Sequence, residues 1–151
     1  MNKAKPIIVL TVICLITSAC LALTNSKTED AIAQVNKQTI EEAKAQVLPK
    51  GTAGDAYQGT AKSFGGDLTV MVGVDTSGKI TGVTVTDHSD TPGLGTKAMT
   101  PEYLSQYKGK TAADLNTPKI KQNKKIDVVT GASISSNGIY NAIQNALKEA
   151  K

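Results

Sequence analysis

"DLTVMVGVDTSGKITGVTVTDHS", residues 67 to 89, decides the fold. Leu68, Val70, Val72 and Val74 fall on alternate positions, the two-residue period of a strand with one apolar face. "DTSG" is a turn sequence, and "KITGVTVTDHS" carries the alternation back, with Gly82 placed for a bulge. This predicts an antiparallel meander, half-buried by its alternation. Upstream, "YQGTAKSFGG" from Tyr57 reads as a short strand closing on Gly65-Gly66. Downstream, "TPEYLSQYKGK" predicts a short helix with Thr100 as cap and Pro101 at the first helical position. "KIKQNKKIDVV" predicts a lysine-rich approach to a further strand. Ile139, Ala142, Ile143, Ala146 and Leu147 then follow the spacing of an amphipathic helix. The expected fold class is α+β: a twisted antiparallel sheet with flanking helices, preceded by one N-terminal transmembrane helix.

That leading helix is read from "PIIVLTVICLITSACLAL", residues 6 to 23, which holds no charge. Eighteen helical residues rise roughly 27 Å, just enough to span a bilayer. Lys3 and Lys5 precede the stretch, while Lys27, Glu29 and Asp30 follow it. The positive-inside rule then keeps the N-terminus cytoplasmic and turns the rest outward. A cleaved signal peptide fits the same stretch. Ser18-Ala19-Cys20 also resembles the end of a lipobox, with Thr17 where leucine is usual. A retained anchor is the expectation. Ser26-Lys27-Thr28-Glu29 reads as a capping box opening a second helix, which Pro49 and Gly51 end, and "PKGTAGDA" reads as a linker. The expected organisation is an anchor over residues 1–25, a helical connector over 26–50 and an extracytoplasmic domain over 51–151.

Composition narrows the chemistry. The 151 residues leave room for one ordinary domain plus an anchor. The hydrophobic fraction of 40% supports a core, and one Phe, four Tyr and no Trp make that core aliphatic. The net charge of +4 comes entirely from lysine, with no arginine. That argues against nucleic-acid reading, which leans on arginine forks and aromatic stacking. Any phosphate is then better held by backbone amides than by a guanidinium. Cys14 and Cys20 both sit in the apolar stretch and His88 is the one histidine, so neither a zinc site nor a disulfide within the domain is expected.

Two stretches exceed what structure requires. "DHSDTPGLGTK", residues 87 to 97, sets Leu94 between Gly93 and Gly95, where positive φ and close ligand approach are permitted. Read as structure alone, it is a rigid Pro-Gly turn. "DVVTGASISSNGIYNAI", residues 127 to 143, passes from an apolar run through glycine and three serines into a helix. There Gly131 would end a strand, and Ser133 or Ser135 would cap the helix.

Together these stretches resemble the FMN-binding domain family, found in the G subunit of the Rnf electron-transport complex and the C subunit of the sodium-pumping NADH:quinone reductase. "TPGLG" and "DVVTGAS" match its two signature segments, and "GDLTVMVGVDTSGKITGV" resembles its sheet. "LTVICLITSACLALTNSKTEDAIA" is similar to the anchor of the Rnf G subunit. The resemblance implies a covalent FMN on Ser133, placed there by a flavin transferase of the ApbE type, with Asp127, Thr130, Gly131 and Ala132 as recognition positions. Asp90, Thr91, Gly93, Leu94 and Gly95 would form the flavin side of the site. Two residues depart from the family pattern: Ser133 stands where threonine is commoner, and Asp90 where glutamate is usual. Ser135 and Ser136 are left to cap the helix. The implied function is a membrane-anchored electron carrier, working with the other membrane subunits of an Rnf-type ion-translocating complex. The rival readings are a free-standing surface flavoprotein or lipoprotein in extracellular electron transfer, and a cofactor-free binding module. A serine hydrolase would need "GASIS" as its nucleophile turn and His88 as its base, and the closing glycine of that turn is missing.

Overall fold

The structure is a computed structural model that describes residues 4–49 and 51–150. Lys3 and Lys50, which figured in the anchor and linker readings, lie outside the described residues. In chain order the elements are α1 (Ala4–Val47), β1 (Gly54–Lys62), β2 (Asp67–Asp75), β3 (Ile80–Asp87), α2 (Pro101–Leu104) and α3 (Ser133–Glu149). The chain divides into two compact units, Met1–Gln38 and Thr39–Lys151.

The first unit is helical, and α1 is long and apolar enough to cross a membrane. Among the described residues of this unit, its large apolar side chains, Ile7, Leu10, Ile13 and Leu21 among them, are exposed. Thr11 donates its hydroxyl to the carbonyl of Ile7 at 2.9 Å, and Thr17 to that of Ile13 at 3.0 Å. Hydroxyls satisfied along the helix in this way are compatible with an apolar surrounding. No second helix opens at Ser26. The helix runs on through the expected capping box, and Thr28 donates back to the carbonyl of Thr24 at 2.7 Å. A continuous helix satisfies internally the amides that such a box would serve.

In the second unit the sheet order is β1-β2-β3, antiparallel throughout. Leu68, Val70, Val72 and Val74 join Ile139, Ala142, Ile143, Ala146 and Leu147 of α3 in one core. The alternation suggested a half-buried strand, yet β2 is buried on both faces. The last turns of α1 cover the second face, where Met71 packs on Ala43 and Val47. Close approach explains the glycines there: a Cβ on Gly73 would stand 2.3 Å from the Val47 carbonyl oxygen. Thr81 donates its hydroxyl to that same carbonyl at 2.5 Å, answering an orphan acceptor at the helix end. Gly73 faces Gly82 and Val74 faces Ile80, so Thr81 is the extra residue of a bulge beside Gly82. On the opposite face, a Cβ on Gly59 would stand 2.0 Å from the Ala142 carbonyl oxygen, so β1 and α3 meet backbone to backbone.

Beyond β3, Thr100 caps α2 by accepting from the Tyr103 amide at 3.3 Å, with Pro101 at the helix start, as the sequence indicated. The strand expected over residues 119 to 129 does not form. A 3-10 turn at Ile120–Gln122 gives way to irregular chain up to Gly131. The neighbouring edge is already engaged, since Ile80 donates to the Lys110 carbonyl at 2.8 Å and Gly109 to the Ile80 carbonyl at 2.7 Å.

Candidate functional site

Three segments meet at the N-terminus of α3: the β1–β2 turn, the loop after β3 and the approach to the helix. The loop is wound about the Thr91 carbonyl, which accepts from the Leu94 amide at 3.2 Å and the Gly95 amide at 3.0 Å. Gly93 adopts φ +75, a left-handed turn that favours glycine. Leu94 is thereby turned outward, 47% exposed, while Gly95 is buried. A Cβ on Gly95 would stand 2.8 Å from both Asp90 Cβ and Ser135 Oγ, so only glycine lets the loop close on the helix.

Asp90 binds the three segments together. It is 4% exposed. One carboxylate oxygen accepts from the Gly65 amide at 2.7 Å, and the other accepts from the Ser63 hydroxyl at 2.5 Å. The Ser135 hydroxyl bonds to it as well. Burial pushes the carboxyl pKa upward. The bonds from Ser135, Ser63 and Gly65, with the nearby His88, outweigh that and hold it below the usual carboxylate value.

The helix start differs from the sequence reading. Ala132 takes the N-cap position without a side-chain cap, and Ser133 is the first residue of α3. Ser135 and Ser136 lie inside the first turn and are buried, so they do not cap it. Ser135 is held by Asp90, and the Ser136 hydroxyl accepts from the Val129 amide at 3.2 Å. Gly131, at φ +84, turns the chain into the helix, and its missing Cβ would lie 3.9 Å from Leu94 Cδ1. The two sequence stretches therefore touch.

Between them is a cleft of about 220 Å³. Of the predicted residues it is lined by Leu94, Gly95, Gly131, Ala132 and Ser133, and the structure adds Phe64, Ile134 and Ser135. Asp90, Thr91, Gly93, Asp127 and Thr130 do not line it. Asp90 lies behind, turned inward. Asp127 is exposed, and its backbone is held by α2 and the turn after it: the Gln106 side-chain oxygen accepts from its amide at 2.7 Å, and Tyr103 donates to its carbonyl at 2.8 Å. His88 does not line the cleft either. A larger hollow of about 370 Å³ lies between Ala112–Pro118 and the latter half of α3, and none of the predicted residues lines it.

Sequence reasoning missed Phe64 because "SFGG" looks like an ordinary turn. It missed Ile134 because that position falls outside the apolar stripe of the helix. The cleft is two-sided in its chemistry. One side offers a half-exposed hydroxyl and the unpaired amides of a helix start, suited to an anion. The other offers Phe64, Leu94 and Ile134, exposed apolar groups suited to a flat ring. A phosphate-bearing flavin has those two ends.

Known proteins are similar to this chain in sequence. The G subunit of the ion-translocating oxidoreductase complex of Methanosarcina acetivorans is 28% identical over 174 residues, 95% of this chain and 92% of the relative. The G subunit of the Na(+)-translocating ferredoxin:NAD(+) oxidoreductase complex of Acetobacterium woodii is 26% identical over 184 residues, 93% of this chain and 88% of the relative. The G subunit of the proton-translocating ferredoxin:NAD(+) oxidoreductase complex of Clostridium ljungdahlii is 33% identical over 90 residues, 59% of this chain and 49% of the relative. The sequence pattern of the FMN-binding domain family matches residues 63–148. Because that match begins at Ser63, under the cleft, and takes in each residue that lines it, this chain belongs to the FMN-binding domain family.

Proposed function

We propose that this chain is an electron-transfer subunit of an ion-translocating membrane complex, with FMN joined by a phosphoester to Ser133. One observation carries the reading: Ser133, half-exposed at the first position of α3, shares a cleft with Leu94 and Gly131. The relatives' names support the complex, and family membership supports the cofactor. Ser135 and Ser136 are poor alternatives as acceptors, being buried and already engaged.

The residues suit the group. The first-turn amides of α3 have no intrahelical partners and would meet the phosphate, a role that needs no arginine. Leu94 and Ile134 would keep water from one side of the ring. The cleft of about 220 Å³ is below the roughly 300–1,000 Å³ of sites that enclose a drug-sized ligand. A cofactor so openly seated would escape without a tether, which favours covalent attachment. In that step Ser133 Oγ forms the new P–O bond, the pyrophosphate bond of FAD breaks, and AMP leaves as the hydroxyl gives up its proton. A flavin transferase of the ApbE type is the proposed catalyst. Bound FMN supplies the electron uptake and release.

The topology follows the charges: residues 1–25 anchor the chain, 26–50 connect, and 51–151 carry the flavin outside the membrane. Protease added to sealed protoplasts should remove the domain and leave an anchor fragment, and full protection would refute the outward orientation.

The deciding experiment is flavin fluorescence of the denatured protein, taken from its native host and run in a gel. A fluorescent band is expected for the parent and none for Ser133→Ala, whose stability should stay within about 0.5 kcal/mol. Retained flavin in that variant, or flavin mapped by peptide mass to Ser135 or Ser136, would overturn the attachment. A colourless parent would favour the cofactor-free reading.

A further inference from the structure

Phe64 is the single phenylalanine of the chain. It is 63% exposed, while Tyr107 and Tyr140 are fully buried. An aromatic ring left in water forgoes the burial that aromatics usually contribute. It is not a loose ring on a mobile loop. Phe64 stands in the β1–β2 turn, where Ser63 donates its amide to the Gly66 carbonyl at 2.7 Å. The residues on either side of it are both fastened to Asp90, Ser63 at 2.5 Å and Gly65 at 2.7 Å. A Cβ on Gly65 would stand 1.9 Å from the Ser89 carbonyl oxygen, and one on Gly138 would stand 3.1 Å from Ser63 Cβ. The turn is thus pressed against the Asp90 loop on one flank and α3 on the other. Such fixing of an exposed ring beside a cleft is what preorganised recognition requires.

We infer that Phe64 is a ring contact for the flavin, a planar aromatic surface against which the isoalloxazine lies at the mouth of the cleft. The inference rests on the flavin reading of that cleft and deepens it. It assigns Asp90 a positioning role: the carboxylate holds the turn that presents Phe64, and does not itself touch the ring. It also gives a reason for phenylalanine over the other aromatics. Tyrosine or tryptophan in stacking contact can be oxidised by an excited or strongly oxidising flavin, and phenylalanine cannot.

The test uses the full-length flavinylated protein from its host, in detergent, as parent, Phe64→Trp and Phe64→Ala. Because Phe64 is exposed, neither change should cost the fold, which circular dichroism checks. Emission is measured per mole of covalent flavin. An indole in contact with the ring donates an electron to the excited flavin, so Phe64→Trp should lose most of its emission and show a much shortened lifetime. Phe64→Ala should keep its emission and become severalfold more sensitive to quenching by iodide. Parent-like emission and lifetime in Phe64→Trp, with flavin loading intact, overturns the inference whatever the alanine variant does. A parent without covalent flavin instead overturns the attachment on which this inference rests; the gel distinguishes the two failures before any lifetime is measured.

Discussion

The β2–β3 hairpin and the Thr111–Gly131 segment lie in one domain, and order reaches them by different routes. In the hairpin a ladder with two register shifts pairs Thr69 through Val74 with Asp87 through Ile80, so most of the backbone satisfies itself. In Thr111–Gly131 side chains do that work. Tyr140 Oη accepts from the Thr117 amide at 3.3 Å and from Asn123 Nδ2 at 3.1 Å, and it shares a hydrogen bond with the Thr117 hydroxyl at 2.7 Å. Asn123 Nδ2 also reaches the Asp114 carbonyl at 2.8 Å, and Gln144 donates to the carbonyls of Leu115 and Thr117. Lys125 pairs with Asp114. A ladder is cooperative and shared among many groups, whereas each of these anchors is a single side chain reaching backbone or another side chain across a gap in sequence. The segment leading to Ser133 should therefore open without the sheet.

The largest expected effect removes the feature the two regions share. Ile143 of α3 is completely buried in the core that holds both β2 and Leu115, Ile120 and Ile126 of the irregular segment. Ile143→Ala should cost about 2–5 kcal/mol. Thermal unfolding of the full chain in detergent should drop, with hydrogen exchange rising in both regions together. Protection lost from the segment alone would show that the core is two cores.

Tyr140→Phe should separate the regions. It keeps the ring in the core and deletes only the hydroxyl, which takes the partner from the half-buried Thr117 amide and leaves the buried Asn123 Nδ2 with the Asp114 carbonyl alone. The expected cost is about 1–3 kcal/mol. Exchange should rise at residues 112 to 126 and stay low in β1 to β3. Equal rises in the sheet would break the comparison.

The same contrast explains what was legible in the sequence. The hairpin was readable because Leu68, Val70, Val72 and Val74 repeat with a period that depends on local geometry alone. The final helix was readable for the same reason. Burial of the second face of β2 was not, because it comes from Val47 of α1 closing on Gly73, a contact distant in sequence. Ile126, Val128 and Val129 have strand propensity, yet they form no strand, and Ile80 at the start of β3 bonds Gly109 and Lys110 instead. At the site, the Gly-rich loop and the serine junction announced themselves by composition. Their division of labour did not, since Ser133, Ser135 and Ser136 are alike in sequence and only the fold shows that Asp90 and the Val129 amide occupy two of them. Phe64 had no local signal at all.

Asp90 gives a smaller, pH-dependent test of the same idea at the cleft. Burial raises its pKa, and the bonds from Ser135, Ser63 and Gly65 more than reverse that, so its folded value lies below the unfolded one. Its contribution is therefore full above the ordinary aspartate value of about 3.9 and is lost as pH falls through the lower folded value. Asp90→Asn should be less stable than the parent at neutral pH, and the gap should narrow as acid protonates the parent carboxyl. The asparagine oxygen can still accept from the Gly65 amide, so the fold should persist. A gap that stays constant down through that acid range would mean that the charge itself contributes nothing.

The smallest expected effect is at Asp127, the exposed end of the irregular segment. Gln106 accepts from the Asp127 amide at 2.7 Å, and Tyr103 donates to the Asp127 carbonyl at 2.8 Å, in a region open to solvent. In Gln106→Ala, water can take the amide that the glutamine leaves, so the cost should fall near the lower end of the usual hydrogen-bond range, about 0.5 kcal/mol. The Tyr103 bond remains, and Val128 and Val129 keep their half-buried contacts with the core. Melting should scarcely move, while amide exchange at residues 127 to 130 should quicken. If Gln106→Ala were as damaging as Tyr140→Phe, the exposed bond would be as important as the buried ones. Solvent access would then not be what ranks the anchors, and the difference between ladder and anchor would need another cause.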